Sequence, residues 1–393
     1  MHFGSEIADG KSSHLRTPSP RICMPTWRKF KKNAYRCGLY EAQDVLVEID
    51  DVDLIELDMS WGGWFDETSL RRPLYHDVFS KLIFLNPGLK KVKLSRDYDM
   101  FIVVCATFED LPYINAIERW QDHCKVSVCW LDELWVADLQ NYKYWLPALA
   151  RFDHVFVGLK DTVFALSQAI NRDCSWLPGG VDALRFSPVS SATARFVDVY
   201  SIGRRHQGIH NEMLKAAERG DLFYLHDTFV GGGLMQVYDH RRHRELFANI
   251  TKRSRYFVVS SAKMDQASHT KGQIDIGYRY YEGAAGGAVL IGDVPDCDAY
   301  KELFPWTEAV IQIQPDGSDT MAILSELGAN PERVATISAR NTKEALLRHD
   351  WIHRWDEMFR IVGVEPSPHR AVREQRLREE NSRVTAGAER ASA

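Results

Sequence analysis

Glu282 stands three residues after Arg279 and at the head of a run of small residues, Gly283-Ala284-Ala285-Gly286-Gly287-Ala288, that leads into the apolar stretch Val289 to Gly292. Removing bulk from successive positions lets a helix lie close to its sheet, or lets a ligand approach the backbone. Spacing alone leaves two readings of the acid open. As a first-turn carboxylate it gains roughly 0.3–1 kcal/mol from the positive end of the helix dipole. As a ligand-binding acid it has little side-chain shielding from its neighbours. Arg279 shares a helical face with it if the helix has already begun, and either assists a phosphate or orients the acid.

Other residues could do chemistry, each with a plainer alternative. Asp132 and Glu133 follow the strand-like run "KVSVCWL" (125–131), where an acid either caps a helix or serves a site. Lys271 and Gln273 lie in "SSAKMDQASHTKGQIDIG" (260–277), between a strand and Glu282, where they either meet phosphate or sugar or belong to a surface loop. In "SWGGWF" (60–65), Gly62 and Gly63 either expose backbone N–H groups to an acceptor, flanked by Trp61 and Trp64, or form an ordinary turn. Asp51-Val52-Asp53 has the look of a metal-binding pair, but it precedes a strand, and ligands gather at the carboxyl ends of strands. A loop with an incoming strand is the favoured reading there; no metal and no cofactor are expected.

These residues need elements to hold them. At 393 residues the chain exceeds one compact core, and 45% hydrophobic with 26% charged residues is a globular composition. The net charge of −5 gives no general reason to bind nucleic acid or an anionic membrane. The seven cysteines are scattered without a CxxC pair, which speaks against a disulfide framework or structural zinc and for a reducing cytoplasm. With neither a signal peptide nor an apolar window of ~20 residues, we expect a cytoplasmic chain without a transmembrane segment, peripheral membrane contact being allowed.

Short β-rich runs alternate with amphipathic patterns: "VDLIEL" (52–57), "MFIVVCA" (100–106), "KVSVCWL" and "HVFVGL" (154–159), with helix candidates "PYINAIERW" and "TVFALSQAI" between the later ones. The alternation restarts with "VDVYSIG" (197–203), "LFYLH" (222–226), "YFVVSS" (256–261), "AVLIG" (288–292) and "AVIQIQ" (309–314). The fold class expected is α/β, with two Rossmann-like, doubly wound domains facing across a cleft. The reading divides the chain into a flexible leader (1–20), an N-terminal domain (21–177), a hinge rich in Gly and Pro (178–188), a C-terminal domain (189–345), a crossing helix (346–366) and a charged tail (367–393), helical briefly before it frays. In "DHRRHRELFANITKRSR" (239–255), Leu246, Phe247 and Ile250 read as the inward face of a helix whose charge is solvated.

Three segments, in order, carry a resemblance. "RYYEGAAGGAVLIGDVP" resembles the C-terminal nucleotide-sugar site of the group-1 glycosyltransferases of GT-B fold, a retaining family-4-like group, and in particular the spore-coat-type branch with an R-x-x-E start. "LPGGVDALRFSP" is similar to that family's interdomain segment, and "SIGRRHQGIHNEMLKAA" to its first C-domain strand, Gly-Arg turn and helix. The resemblance implies that Glu282 binds the ribose hydroxyls of a nucleotide-sugar donor, a charged acceptor suiting two neighbouring hydroxyls. It implies that Arg204 or Arg205, on the Gly203 turn, meets the pyrophosphate and stabilises charge as the nucleoside diphosphate leaves. Gly283 then joins the donor-binding set with Arg279, Lys271 and Gln273.

The chain departs from the family at two places. The first Glu of a Glu-x7-Glu pattern falls on Ile274, and Leu131 occupies the place of an N-domain His, leaving Asp132 or Glu133 as a substitute. The expectation is a hexosyltransferase-like enzyme in glycan or exopolysaccharide biosynthesis, with Arg204, Arg205 and Asp132 catalytic and Gly62, Gly63 and Glu133 on a glycan or small-molecule acceptor. No nucleic acid partner is expected. The alternatives are a non-catalytic nucleotide-sugar or glycan-binding protein and a sugar-nucleotide epimerase.

Overall fold

The computed structural model describes residues 20–60, 83–188, 194–228 and 235–392, with side chains to 387. Gly62 and Gly63, with the tryptophans beside them, and the leader to residue 19 lie outside the described residues.

Two parallel sheets organise the chain. The N-terminal domain contributes β1 (Ile22–Thr26), β2 (Val52–Glu56), β3 (Val92–Lys93), β4 (Tyr98–Cys105), β5 (Ile117–Glu118), β6 (Cys124–Leu131), β7 (His154–Val157) and β8 (Cys174–Trp176). Six of them form one sheet in the order β2-β1-β4-β6-β7-β8, while β3 and β5 pair by themselves. The C-terminal domain contributes β9 (Val197–Ser201), β10 (Tyr224–His226), β11 (Ser254–Val259), β12 (Val289–Gly292) and β13 (Val310–Gln312), ordered β10-β9-β11-β12-β13. Strand order reverses between β1 and β4 in the first sheet and between β9 and β11 in the second, the places where crevices open beyond the carboxyl ends of strands.

Continuous apolar runs make the central strands because a parallel sheet is covered on both faces. Met100 to Cys105 are all buried along β4. β1 was not legible in this way, since "ICMPT" contains Pro25. The structure accommodates it: β1 pairs with β4 only at Ile22 and Cys23, so the proline lies beyond that ladder. The helix expected at "PYINAIERW" is absent; Pro112 sits inside a 3-10 segment, Phe108–Ala116, which runs into β5. The helix expected at "TVFALSQAI" is present as Thr162–Ile170.

The hinge region packs against the segment that returns to the first domain. Val181 N donates to His349 O at 3.0 Å, and a methyl on Gly180 would come within 2.9 Å of the Trp351 ring. The Trp351–Val362 helix then buries Trp351, Trp355, Met358 and Phe359. Trp355 donates from Nε1 to Ala42 O at 3.0 Å, and Trp130 meets the Trp351 and Trp355 rings edge-on at 6.0 and 5.9 Å.

The charged tail is not a fraying end. Residues Arg370–Ser392 form a helix that docks through Arg373, which pairs with Asp350 at 2.7 Å, Asp182 at 2.6 Å and Glu48 at 2.7 Å, while Ser187 donates to Glu380 at 2.9 Å. Charge that reads as solvated in the sequence is here matched to carboxylates on three distant segments.

Candidate functional site

Glu282 is placed differently from expectation. Gly277 caps the Tyr278–Ala285 helix, so Glu282 falls in its second turn, and its side chain is 1% exposed. Arg279 from the same helix and Arg244 from the His240–Lys252 helix both pair with it. Arg244 also grips Glu41 of the Cys37–Ile49 helix, at 2.8 Å from Nε and 3.0 Å from Nη2. Glu41 accepts further bonds from Asp182 N at 2.8 Å and Trp351 Nε1 at 3.2 Å. A buried ionic chain, Glu41–Arg244–Glu282–Arg279, thus crosses between domains. Burial alone would raise the Glu282 carboxyl; the Arg279 and Arg244 guanidiniums outweigh it and hold the group below the usual carboxylate range.

The small-residue run has a packing role. A methyl on Gly283 would stand 2.4 Å from Leu290 and 2.8 Å from Phe257, so Gly283 brings the helix onto β11 and β12. The exposed-acid reading of Glu282 is corrected, since the helix is pressed against its sheet and its acid turned inward.

Arg279 is the member of this chain that faces outward, with its side chain 33% exposed. Its guanidinium lies over the Phe247 ring at 4.8 Å, and Nε donates to Ile202 O at 3.4 Å. The Gly203 turn follows, at φ +80°, and a Cβ there would stand 3.8 Å from Arg279 Nη2. Arg205 is pinned by Asp227, whose carboxylate also accepts from Gly203 N. Arg204 is 39% exposed and pairs with the half-exposed Asp265 at 2.9 Å. Gly203, Arg204, Arg205 and Arg279, chosen from sequence, therefore meet at the carboxyl end of β9, where strand order reverses. Next to them is a pair that sequence reasoning missed: His206 Nε2 lies 2.7 Å from Asp293 Oδ1, and Asp293 Oδ2 accepts from Ser261 N at 3.0 Å. It ties together the ends of β9, β11 and β12.

Across the cleft, Asp132 sits just beyond β6, and Tyr278 of the second domain donates to its Oδ1 at 2.6 Å. Burial raises the Asp132 carboxyl to about 7, the Tyr278 bond opposes that rise, and the charges of Glu133 and Asp275 add to it. Asp275, in the loop before Gly277, is likewise raised by burial to about 7.

The other candidates brace the domains. Glu133 is held by Lys263 and by Trp135 Nε1 at 2.8 Å. Gln273 accepts from Val136 N at 3.0 Å and donates to Thr162 at 3.2 Å, and His269 lies 2.9 Å from Asp138. The 260–277 loop thus clamps residues 133–138, with Glu133 and Gln273 both engaged in it and both still partly exposed. Lys271 is exposed, at φ +52°. Arg244, read as solvated, is the hub of the buried chain; Leu246, read as inward, is 60% exposed. The signal was present: Arg244, Phe247, Ala248 and Thr251 share the helix's buried stripe.

Among the described residues no group of three or more His, Cys, Asp or Glu is placed to hold a metal, and no helix is long and apolar enough to cross a membrane.

Residues 204–360 match a family profile described as glycosyl transferase-like. No curated protein matches the chain in sequence. Among solved structures, the chain is similar to an alpha-glucosyltransferase in complex with UDP-glucose and DNA containing an abasic site, at 13% identity and TM-score 0.52, over 88% of this chain and 100% of that one. It is similar also to an alpha-glucosyltransferase in complex with UDP and a 13-mer DNA containing a central A:G mismatch, at 14% identity and TM-score 0.51, with the same coverage. The chain has the GT-B fold, two Rossmann-like domains across a cleft, and its C-terminal half carries the glycosyl transferase-like match.

Proposed function

We propose that this chain is a retaining glycosyltransferase that moves a sugar from a nucleotide-sugar donor, bound in the C-terminal domain, to a hydroxyl of a glycan or small-molecule acceptor on the N-terminal domain. The observation that carries the reading is the approach of Arg279 to the Gly203 turn, which Arg204 and Arg205 follow in the chain, at the switch point of the second sheet. Guanidinium groups in fixed orientation suit a diphosphate, and their charge favours its departure. In this reading Arg279 anchors the donor, and Glu282 acts through Arg279. The bond from the sugar to the diphosphate oxygen breaks, the acceptor oxygen takes the sugar, and its proton passes to the leaving phosphate. Asp132 contributes a carboxylate at the cleft that accepts from a sugar or acceptor hydroxyl.

UDP-glucose is the first donor to test, since a structure similar in fold holds it. Glycan or exopolysaccharide assembly in the cytoplasm is the process we infer. The cysteines support the compartment, all seven being free. The test is incubation with a panel of nucleotide sugars, UDP-glucose included, in the presence of glycan acceptors. Release of nucleoside diphosphate with a glycosylated product supports the reading; isomerised sugar without transfer contradicts it. A second reading, a binder without turnover, draws on the sealing of Glu282 behind two arginines. Tight donor binding with no product over long incubation would favour it.

A further inference from the structure

Tyr278 is the residue before the proposed donor anchor, yet its ring belongs as much to the other domain. The ring lies against Gly38 and Gly179, where a methyl would approach it to 3.3 and 3.1 Å, so both glycines leave it room. It packs 6.1 Å from the Trp351 ring of the crossing helix. From this seat its hydroxyl reaches Asp132 Oδ1 at 2.6 Å, and Asp132 Oδ2 has no hydrogen-bond partner among the described residues. One oxygen is held and the other is left for the cleft.

We propose that Tyr278 is a positioning residue that couples the C-terminal domain's hold on the donor, through neighbouring Arg279, to the orientation of Asp132 across the cleft. The proposal rests on the glycosyltransferase reading above and adds to it a residue outside the candidate set. Two features of the site support the coupling. Tyr278 and Arg279 are consecutive on one short, buried helix, so a shift that seats one moves the other. Asp132, for its part, lies near two groups that do not favour its charge, Glu133 beside it and Asp275 from the facing loop; Tyr281 packs next to Tyr278, and the Arg354 cation of the crossing helix acts on those two rings. The Tyr278 hydroxyl is its hydrogen-bond donor, and a bond to the ionised form favours that form.

The test is Tyr278→Phe in the full chain, which keeps the ring packing and removes the hydroxyl, with UDP-glucose as donor. The proposal expects kcat to fall about tenfold with KM for the donor within about twofold, the pattern of an interaction made at the reacting centre and not in donor binding. The acid limb of the kcat profile moves to higher pH, because the carboxylate has lost the bond that favoured its ionised form. Combined with Asp132→Asn, Tyr278→Phe costs no further activity. A thermal melt excludes misfolding, and Asp132→Asn alone reports on the acid if the phenylalanine variant does not fold. Turnover by wild type that Tyr278→Phe leaves unchanged in kcat and pH profile overturns the proposal while leaving the transferase reading intact. A loss additive with Asp132→Asn overturns it as well. Absence of turnover with UDP-glucose and every other nucleotide sugar in the panel contradicts the transferase reading and takes the proposal with it.

Discussion

Arg244 and Glu41 face each other across the domain boundary in a two-point contact of 2.8 and 3.0 Å, and the free end of the same guanidinium holds Glu282. A cation buried between two carboxylates contributes less to stability by its presence than its removal would cost. Arg244→Ala leaves Glu41 and Glu282 buried without that partner, and should lower unfolding free energy by about 3–5 kcal/mol in a urea titration. Arg244→Met, which fills the space but supplies no charge, should be as harmful, separating lost charge from lost volume.

The same chain sets a pH dependence. The Glu282 carboxyl is held below its ordinary value of 4.5 by Arg279 and Arg244 against the cost of burial. Its contribution is therefore present above that value and lost as pH falls through the lower, folded one. Melts from pH 6 down to pH 3 should show a steeper loss in wild type than in Glu282→Gln.

Asp275 works in the opposite sense. Its folded value is raised by burial to about 7 from an ordinary 3.8, so the folded protein keeps a proton that the unfolded chain releases. Stability then falls as pH rises between those two values and levels off above them. Asp275→Asn should raise the melting temperature at pH 8 and leave it nearly unchanged at pH 4.

Gly283 and Gly328 make a matched pair of glycines. Gly283→Ala forces a methyl into Leu290 and Phe257 and should cost about 1–3 kcal/mol. A methyl on Gly328, inside the Thr320–Ala329 helix, meets nothing within 4 Å, and Gly328→Ala should stabilise by about 0.4–1 kcal/mol. Chemical denaturation of both variants checks the difference in sign.

The central strands were legible because burial on two faces demands uninterrupted apolar runs, as in β4 from Met100 to Cys105 and in β12. β1 was not, because Pro25 speaks against a strand until its one-sided pairing is known. The Gly203, Arg204, Arg205 and Arg279 cluster was reachable from the motifs of the family that the sequence resembles. The inward turn of Glu282 was not, since the partners that draw it in, Arg244 and through it Glu41, lie 38 and 241 positions away in a chain of 393 residues. The docked tail was missed for a like reason: Arg373 meets Asp182 at a separation of 191 residues. Short-range periodicity finds elements, and long-range charge matching decides which of their polar residues are buried.

In the proposed function Arg279 binds the donor and Glu282 has only an indirect part. Arg279→Ala should weaken donor affinity about tenfold to a hundredfold, and Glu282→Gln by less, with the double variant no weaker than Arg279→Ala alone. Calorimetric titration with UDP-glucose provides the values.

A crystal structure of the protein with UDP-glucose is the decisive measurement. The diphosphate is expected against the Gly203 turn, within hydrogen-bond reach of the Arg279 guanidinium, with Glu282 still behind it. A donor lodged elsewhere, with Arg279 untouched, would contradict that expectation.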